Sequence, residues 1–249
     1  MSDRNSYHEF TKAPAADRTR IAGQLYDRRY AAGSDRLSRL PTKRRVRRIA
    51  RYKAIIGRGH GRILELGCGL GDLTYALVEH ADKVIGTDIS ANAIEIARAR
   101  RDLWRLTDEQ IGKIEFRQMS AVELCFPDGV FDWAVSTSMI EHLHPEEVDA
   151  HLSEVARVLR RGGRYLVWCP NGLGHHEDRE QHLTMLSYAE WTEKLRRAGF
   201  DRLRSTLTSR LPLVDARVKI FMEKLLVRAR LRIMWSHLGV RNVLLVATR

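Results

Sequence analysis

Ile63-Leu64-Glu65-Leu66-Gly67-Cys68-Gly69-Leu70-Gly71-Asp72 is the stretch on which the fold turns. A β-branched and leucine run enters a glycine-rich turn, and a helix-period segment opens directly behind it. A short apolar run closed by glycine reads as a buried strand. Glycine tolerates positive φ and lets a ligand come close to the backbone. In open α/β sheets ligands bind outside the carboxyl ends of the strands. The stretch therefore predicts a parallel sheet and, at the tip of its first strand, a binding site.

Downstream, short apolar runs alternate with helix-period segments, as in a parallel sheet covered by helices. Strands are expected at 62–66, 83–87, 114–118, 131–137, 163–168, 200–207 and 240–247. Helices are expected at 72–79, 91–101, 146–159 and 187–198, the last with Ser187 as N-cap and Gly199 as stop. A long helical segment is expected at about 215–238. Upstream, 15–30 reads as a helix, and a second runs from Thr42, its N-cap, to about residue 56. The predicted architecture is a Rossmann-like α/β fold, with seven mostly parallel strands, helices on both faces and an antiparallel last strand. Residues 1–60 form an N-terminal helical extension, and residues 61–249 form the main domain with a helical insertion at about 212–238.

Composition narrows the class. No apolar run reaches the roughly 18–20 residues of a membrane span, and Met1-Ser2-Asp3-Arg4-Asn5 is no signal peptide. Cys68, Cys125 and Cys169 are widely spaced and odd in number, which suggests neither a disulfide framework nor a zinc knuckle, and a cytoplasmic home is expected. The formal net charge of +12 favours anionic partners. It gathers at Arg44, Arg45, Arg47, Arg48 and Arg51, and again at Arg217, Lys219, Lys224, Arg228, Arg230 and Arg232. The second stretch alternates with Val218, Phe221, Leu225 and Ile233, a pattern that can lie on an anionic membrane surface or pack against the sheet.

The turn discriminates between nucleotide cofactors. A dinucleotide fold spaces its glycines G-x-G-x-x-G; here Gly71 comes one place early and Asp72 follows it. A carboxylate at that helix N-terminus would repel a pyrophosphate. S-adenosylmethionine (SAM) carries no phosphate but a sulfonium and an ammonium group, and Glu65 supplies negative charge near that cationic end. Asp88, about twenty residues on in Gly86-Thr87-Asp88-Ile89-Ser90, can accept both ribose hydroxyls, a role common to SAM and NAD sites.

Glu65-Leu66-Gly67-Cys68-Gly69-Leu70-Gly71 resembles the first motif of the class I SAM-dependent methyltransferases, and Gly86–Ser90 resembles the second. Phe126-Pro127-Asp128-Gly129-Val130-Phe131-Asp132 with Ile140-Glu141-His142-Leu143 resembles the ubiquinone/menaquinone-biosynthesis type within that class, the methyltransferase type 11-like family. Leu159-Arg160-Arg161-Gly162-Gly163 resembles its turn into the fifth strand. The resemblance covers roughly residues 60–205. It implies that Gly67, Cys68, Gly69 and Gly71 wrap the methionine part of SAM and that Asp88 holds the ribose, with Ile89 near the adenine. Ser120 and Ala121 stand where the family holds the adenine amino group, although Met119-Ser120 replaces the usual acid or asparagine. Thr137 would touch the methionine end.

Methyl transfer is an in-line displacement in which the enzyme chiefly aligns the nucleophile and, for hydroxyl acceptors, removes a proton. Glu141 and His142, after the fourth strand, are the candidate catalytic residues. His144 and, in the loop after the fifth strand, His176 and His182 are candidates for substrate contact. The spacing of those histidines matches no established ligand pattern, so no metal is expected. Ser136-Thr137-Ser138-Met139 lacks the Asn/Asp-Pro-Pro-aromatic signature of enzymes that methylate exocyclic base amines, and no cysteine is placed for C5 methylation of cytosine. The expected acceptor is a small, anionic biosynthetic intermediate that offers an O, N or C nucleophile. The alternatives are an RNA acceptor held by the basic N-terminal helix, or a non-catalytic SAM-binding partner protein. Oligomeric state is left open.

Overall fold

The computed structural model describes residues 3–31, 40–172, 181–205, 208–209, 225 and 240–249. Five strands run parallel: β1 (His60–Leu66), β2 (Ala81–Asp88), β3 (Ile114–Gln118), β4 (Phe131–Thr137) and β5 (Leu159–Pro170). Then come β6 (Arg202–Ser205), β7 (Thr208–Ser209) and β8 (Val240–Thr248). The last of these runs antiparallel to both β5 and β6. The hydrogen-bonded order is β3-β2-β1-β4-β5-β8-β6, seven strands as expected, with the two-residue β7 also pairing β8.

Eight α-helices surround the sheet among the described residues: α1 (Asp3–Thr11), α2 (Ala15–Ala31), α3 (Lys43–Ile56), α4 (Asp72–Ala76), α5 (Ala91–Ala99), α6 (Asp108–Gly112), α7 (Val148–Val158) and α8 (Tyr188–Arg197). Strand alternation distributes the core to both faces. Leu64 and Leu66 of β1, Ala134 of β4 and Tyr165 and Val167 of β5 pack with Leu152 and Val155 of α7 and Trp191 and Leu195 of α8. The intervening Ile63, Trp133, Val135 and Leu166 pack with Ile49, Tyr52 and Ile56 of α3 and Leu73 of α4. Each such large side chain contributes about 1.5–3 kcal/mol by leaving water. Among the described residues no helix is long and apolar enough to cross a membrane.

Local chemistry sets the boundaries. Thr42 caps α3 by accepting from Arg45 N at 3.2 Å, and Ser187 and Glu190 form a capping box on α8. The predicted helix 72–79 is shorter, because α4 ends at Ala76 and a 3₁₀ turn, Val78–His80, completes the connection. Likewise α5 stops at Ala99 ahead of the 3₁₀ turn Arg101–Trp104, and the turn Pro145–Glu147 precedes α7. The strand predicted to start at 163 starts at Leu159. The glycine pair marks a bulge inside it, where the register shifts between Phe131 and Trp133. A Cβ on Gly163 would stand 2.7 Å from Arg160 O, so only glycine fits there. The short helices α1 and α6 escaped the sequence reading, and the helix expected at 215–238 lies outside the described residues, apart from residue 225.

Candidate active site

In this strand order β1 sits where the chain reverses direction across the sheet, with β2 on one side and β4 on the other. Such a switch point leaves a crevice at the strand tips. Here a cavity of about 440 Å³ opens, walled by the tips of the strands on one side and by α1 and α2 on the other.

The glycine turn forms one end of it. Gly67 has φ of 69°, and a Cβ on it would stand 2.4 Å from Met139 Cγ. The left-handed backbone and the close approach thus both require glycine. Gly71 also has a positive φ, but it serves packing: a Cβ there would meet Phe116 and Ala97, away from the cavity. Cys68 is buried with Tyr75, Ile94 and Phe116, so it belongs to the core. Asp88 lines the cavity, its Oδ2 accepting from Gly69 N at 2.9 Å and its Oδ1 from Ser90 N at 3.0 Å. The carboxylate is fixed in place, and an ionised carboxylate offers about four acceptor sites, so capacity remains for two hydroxyl donors. Ser90 caps α5 by accepting from Ala93 N, which leaves Asp88 free of that duty. Burial raises the Asp88 pKa, against the backbone donors that lower it.

Glu65 lies beneath the turn rather than in the cavity. It is 1% exposed and accepts from Thr74 Oγ1, and burial pushes its pKa up to about 7. Ile89, Ser120 and Ala121 line the cavity, whereas Thr137 is buried and is not among its lining residues. His151, fully buried, accepts or donates at both ring nitrogens, to Ala121 O at 2.8 Å and Tyr165 Oη at 2.9 Å. Burial holds its pKa down at about 4. Because Ala121 O can only accept, His151 is the neutral Nδ1–H tautomer.

At the other end stands His142, in the 3₁₀ turn Ile140–His142 after β4. Its Nδ1 lies 2.7 Å from Gln181 O, so Nδ1 carries a proton and donates it there. Glu141, 1% exposed, points inward, and burial pushes its pKa up to about 8. His182 stands 5.1 Å from the His142 ring, centroid to centroid. His144 is not among the residues lining the cavity: its Nδ1 accepts from Glu146 N and caps the turn Pro145–Glu147. His176 lies outside the described residues.

The far wall was not read from the sequence. Phe10, Arg18, Ala22, Tyr26, Arg29 and Tyr30 face the cavity from α1 and α2. Asp27 fastens α2 in place, accepting from Ser90 Oγ at 2.6 Å and Asn92 N at 3.1 Å, and Arg18 bridges to Glu146 at 2.7 Å. The helical repeat of Arg18, Ala22, Tyr26 and Arg29 was the available signal.

Comparison with known proteins agrees with this geometry. Residues 63–163 match a family described as "Methyltransferase domain". The chain is 33% identical over 156 residues to a "Probable S-adenosylmethionine-dependent methyltransferase" of Mycolicibacterium smegmatis, covering 60% of this chain and 56% of that one. It is 41% identical over 105 residues to a demethylmenaquinone methyltransferase of Lactococcus lactis, covering 41% and 39%. A SAM-dependent methyltransferase structure from Archaeoglobus fulgidus shares the fold with a TM-score of 0.62 at 17% identity, covering 91% of this chain and 99% of that one. The chain spans about half the length of the curated relatives it matches. Residues 63–163 are thus similar to a methyltransferase domain, and the fold is shared with SAM-dependent methyltransferase structures.

Proposed function

We propose that this chain transfers the methyl group of SAM to a small, anionic acceptor bound between α2 and the His142 turn. One observation carries the reading: a single cavity has the Gly67 turn and Asp88 at one end, and His142 with Arg18 and Arg29 at the other. In it Asp88 holds the ribose hydroxyls of SAM, Ile89, Ser120 and Ala121 enclose the adenine, and the glycine turn receives the methionine part. Glu65 and Thr137 support that end from below.

The reaction needs little covalent help. The acceptor's lone pair attacks the methyl carbon, the C–S bond breaks, its electron pair goes to sulfur, and S-adenosylhomocysteine leaves. A hydroxyl or ammonium acceptor also loses a proton. His142, which lines that end, is the candidate to take that proton, and the guanidinium groups of Arg18 and Arg29 suit an acidic group on the acceptor. Exposed Lys43, Arg44 and Arg47 on α3 support a second reading, in which the acceptor is RNA.

Calorimetric titration with SAM, S-adenosylhomocysteine and NAD tests the cofactor, and repetition with RNA over a salt series tests the acceptor class. Micromolar binding of SAM or its product without NAD binding is expected. Absence of SAM binding in folded protein overturns the proposal. RNA binding that weakens steeply with salt and alters SAM affinity replaces the small acceptor with RNA.

A further inference from the structure

We propose that Glu141, His142 and His182 together bind one divalent metal cation of the zinc type, at the acceptor end of the cavity. One ligand atom from each residue lies within 4.8 Å of the other two. Two imidazole nitrogens and one carboxylate oxygen form a ligand set suited to borderline divalent metals, and such three-ligand sites leave positions open for an exogenous group.

Three features separate this cluster from a chance meeting of polar side chains. First, Glu141 is 1% exposed, and its Oε2 has no hydrogen-bond partner among the described residues. A buried polar atom without a partner is costly, and a cation supplies the missing interaction. Second, His142 Nδ1 donates to Gln181 O at 2.7 Å, the kind of outer contact that orients metal-binding histidines with Nε2 as the ligand atom.

Third, the two chain segments that bring the ligands are tied to each other. Thr184 N donates to Glu141 O at 3.0 Å, and Thr184 Oγ1 donates to Leu143 O at 2.8 Å. The site is therefore held before any cation arrives. A cation about 2.0–2.2 Å from each ligand would draw the three atoms somewhat closer, a movement within reach of side-chain rotation. His142 belongs both to the cluster and to the cavity wall, so an acceptor oxygen in the cavity can reach a cation held there. Bound to the cation, an acceptor hydroxyl would lose its proton more readily to water, with His142 then a ligand rather than the base; its oxygen would attack the methyl carbon as the C–S bond breaks and the electron pair passes to sulfur. The metal site stands without the methyl-transfer reading, but this use of it rests on that reading.

The test strips the full chain with a chelator, then titrates it with zinc and with cobalt(II) as a spectroscopic probe, and repeats both with Glu141→Gln and His182→Ala. Calorimetric SAM binding and a thermal melt report folding in the same samples. Zinc uptake of about one equivalent by the wild type is expected, with affinity falling at least about tenfold in each variant. Failure of the stripped wild type to take up zinc overturns the proposal, as does equal affinity in variants that still melt cooperatively. If Glu141→Gln does not fold, His182→Ala decides alone. Zinc uptake without SAM binding would sink the methyltransferase reading and leave the metal site standing; SAM binding without zinc uptake does the reverse.

Discussion

At one end of the cavity the residues from Gly67 to Gly71, with Asp88 at the next strand tip, set the wall almost entirely through backbone geometry. At the other end the wall is assembled from side chains of α1 and α2 and the turn after β4, the last held by Gln181 O from the chain before α8. The first end is local in sequence and built from glycine conformation and main-chain donors. The second joins segments more than a hundred residues apart, as the Arg18–Glu146 bridge shows. A recurring cofactor suits the first construction, and an acceptor that differs from protein to protein suits the second.

The contrast breaks most sharply at Gly67. Gly67→Val forces a β-branched residue into φ of 69° and against Met139, so a loss of about 3 kcal/mol or more is expected from strain and overpacking together. Thermal melts and SAM titration should both register it. Intact SAM binding in the valine variant would show that the turn does not need its glycine.

An effect of similar size should appear with pH at His151, which supports the turn end through Ala121. Its pKa is about 4 in the fold and about 6.5 in an unfolded chain. Below pH 6.5 the unfolded chain takes up a proton that the folded protein refuses, so stability falls as pH drops from 6.5 towards 4. The full loss, about 3 kcal/mol, is reached below about pH 4, and none of it is present well above pH 6.5. Denaturant melts at pH 7 and pH 4.5 should show it, and His151→Gln should flatten this part of the profile. A wild-type profile unchanged by the substitution would place the acid sensitivity elsewhere.

Next in size is Asp88→Ala, for which SAM binding should weaken by about 2 kcal/mol through loss of a charged acceptor of two hydroxyls. Calorimetry measures it directly, and unchanged affinity would overturn the ribose assignment. At the other end, Arg29→Ala should raise the KM for the acceptor while leaving SAM affinity within about threefold, because Arg29 faces the cavity from α2. Equal losses of SAM and acceptor binding would mean that the two ends do not act separately.

The same division explains what the sequence disclosed. The sheet, the glycine turn and Asp88 were legible because each depends on neighbours in the chain: a strand run, a positive φ, an acid at a strand tip. Ser90 as N-cap and the seven-strand path were legible for that reason too. The wall made by α2 was not, because a polar helix with Arg18, Tyr26 and Arg29 on one face reads as solvated until its partner is known. His144 shows what spacing leaves out: its Nδ1 caps the turn that follows it, a local contact that the residue type does not announce. The grouping of Glu141 and His142 with His182 depends on tertiary hydrogen bonds through Thr184 and Gln181, which no spacing rule contains.

The smallest predicted effect bears on the contrast most finely. At the turn end every positive φ falls on glycine, whereas at the histidine end Ser138 holds φ of 57°. It is kept there by its N–H, which donates to Trp168 O at 2.9 Å, and it lines the cavity next to Met139. A left-handed non-glycine residue costs about 1–2 kcal/mol, of which glycine's greater freedom in the unfolded chain takes back about 0.5–1 kcal/mol. Ser138→Gly should therefore stabilise the protein by under about 1 kcal/mol, a rise of roughly 2–4 °C at most in Tm. If the serine is retained for the acceptor, the glycine variant should gain stability and lose methyl transfer to that acceptor while binding SAM as before. A variant more stable and equally active would make the strain incidental, and the histidine end would then differ from the turn end in assembly alone.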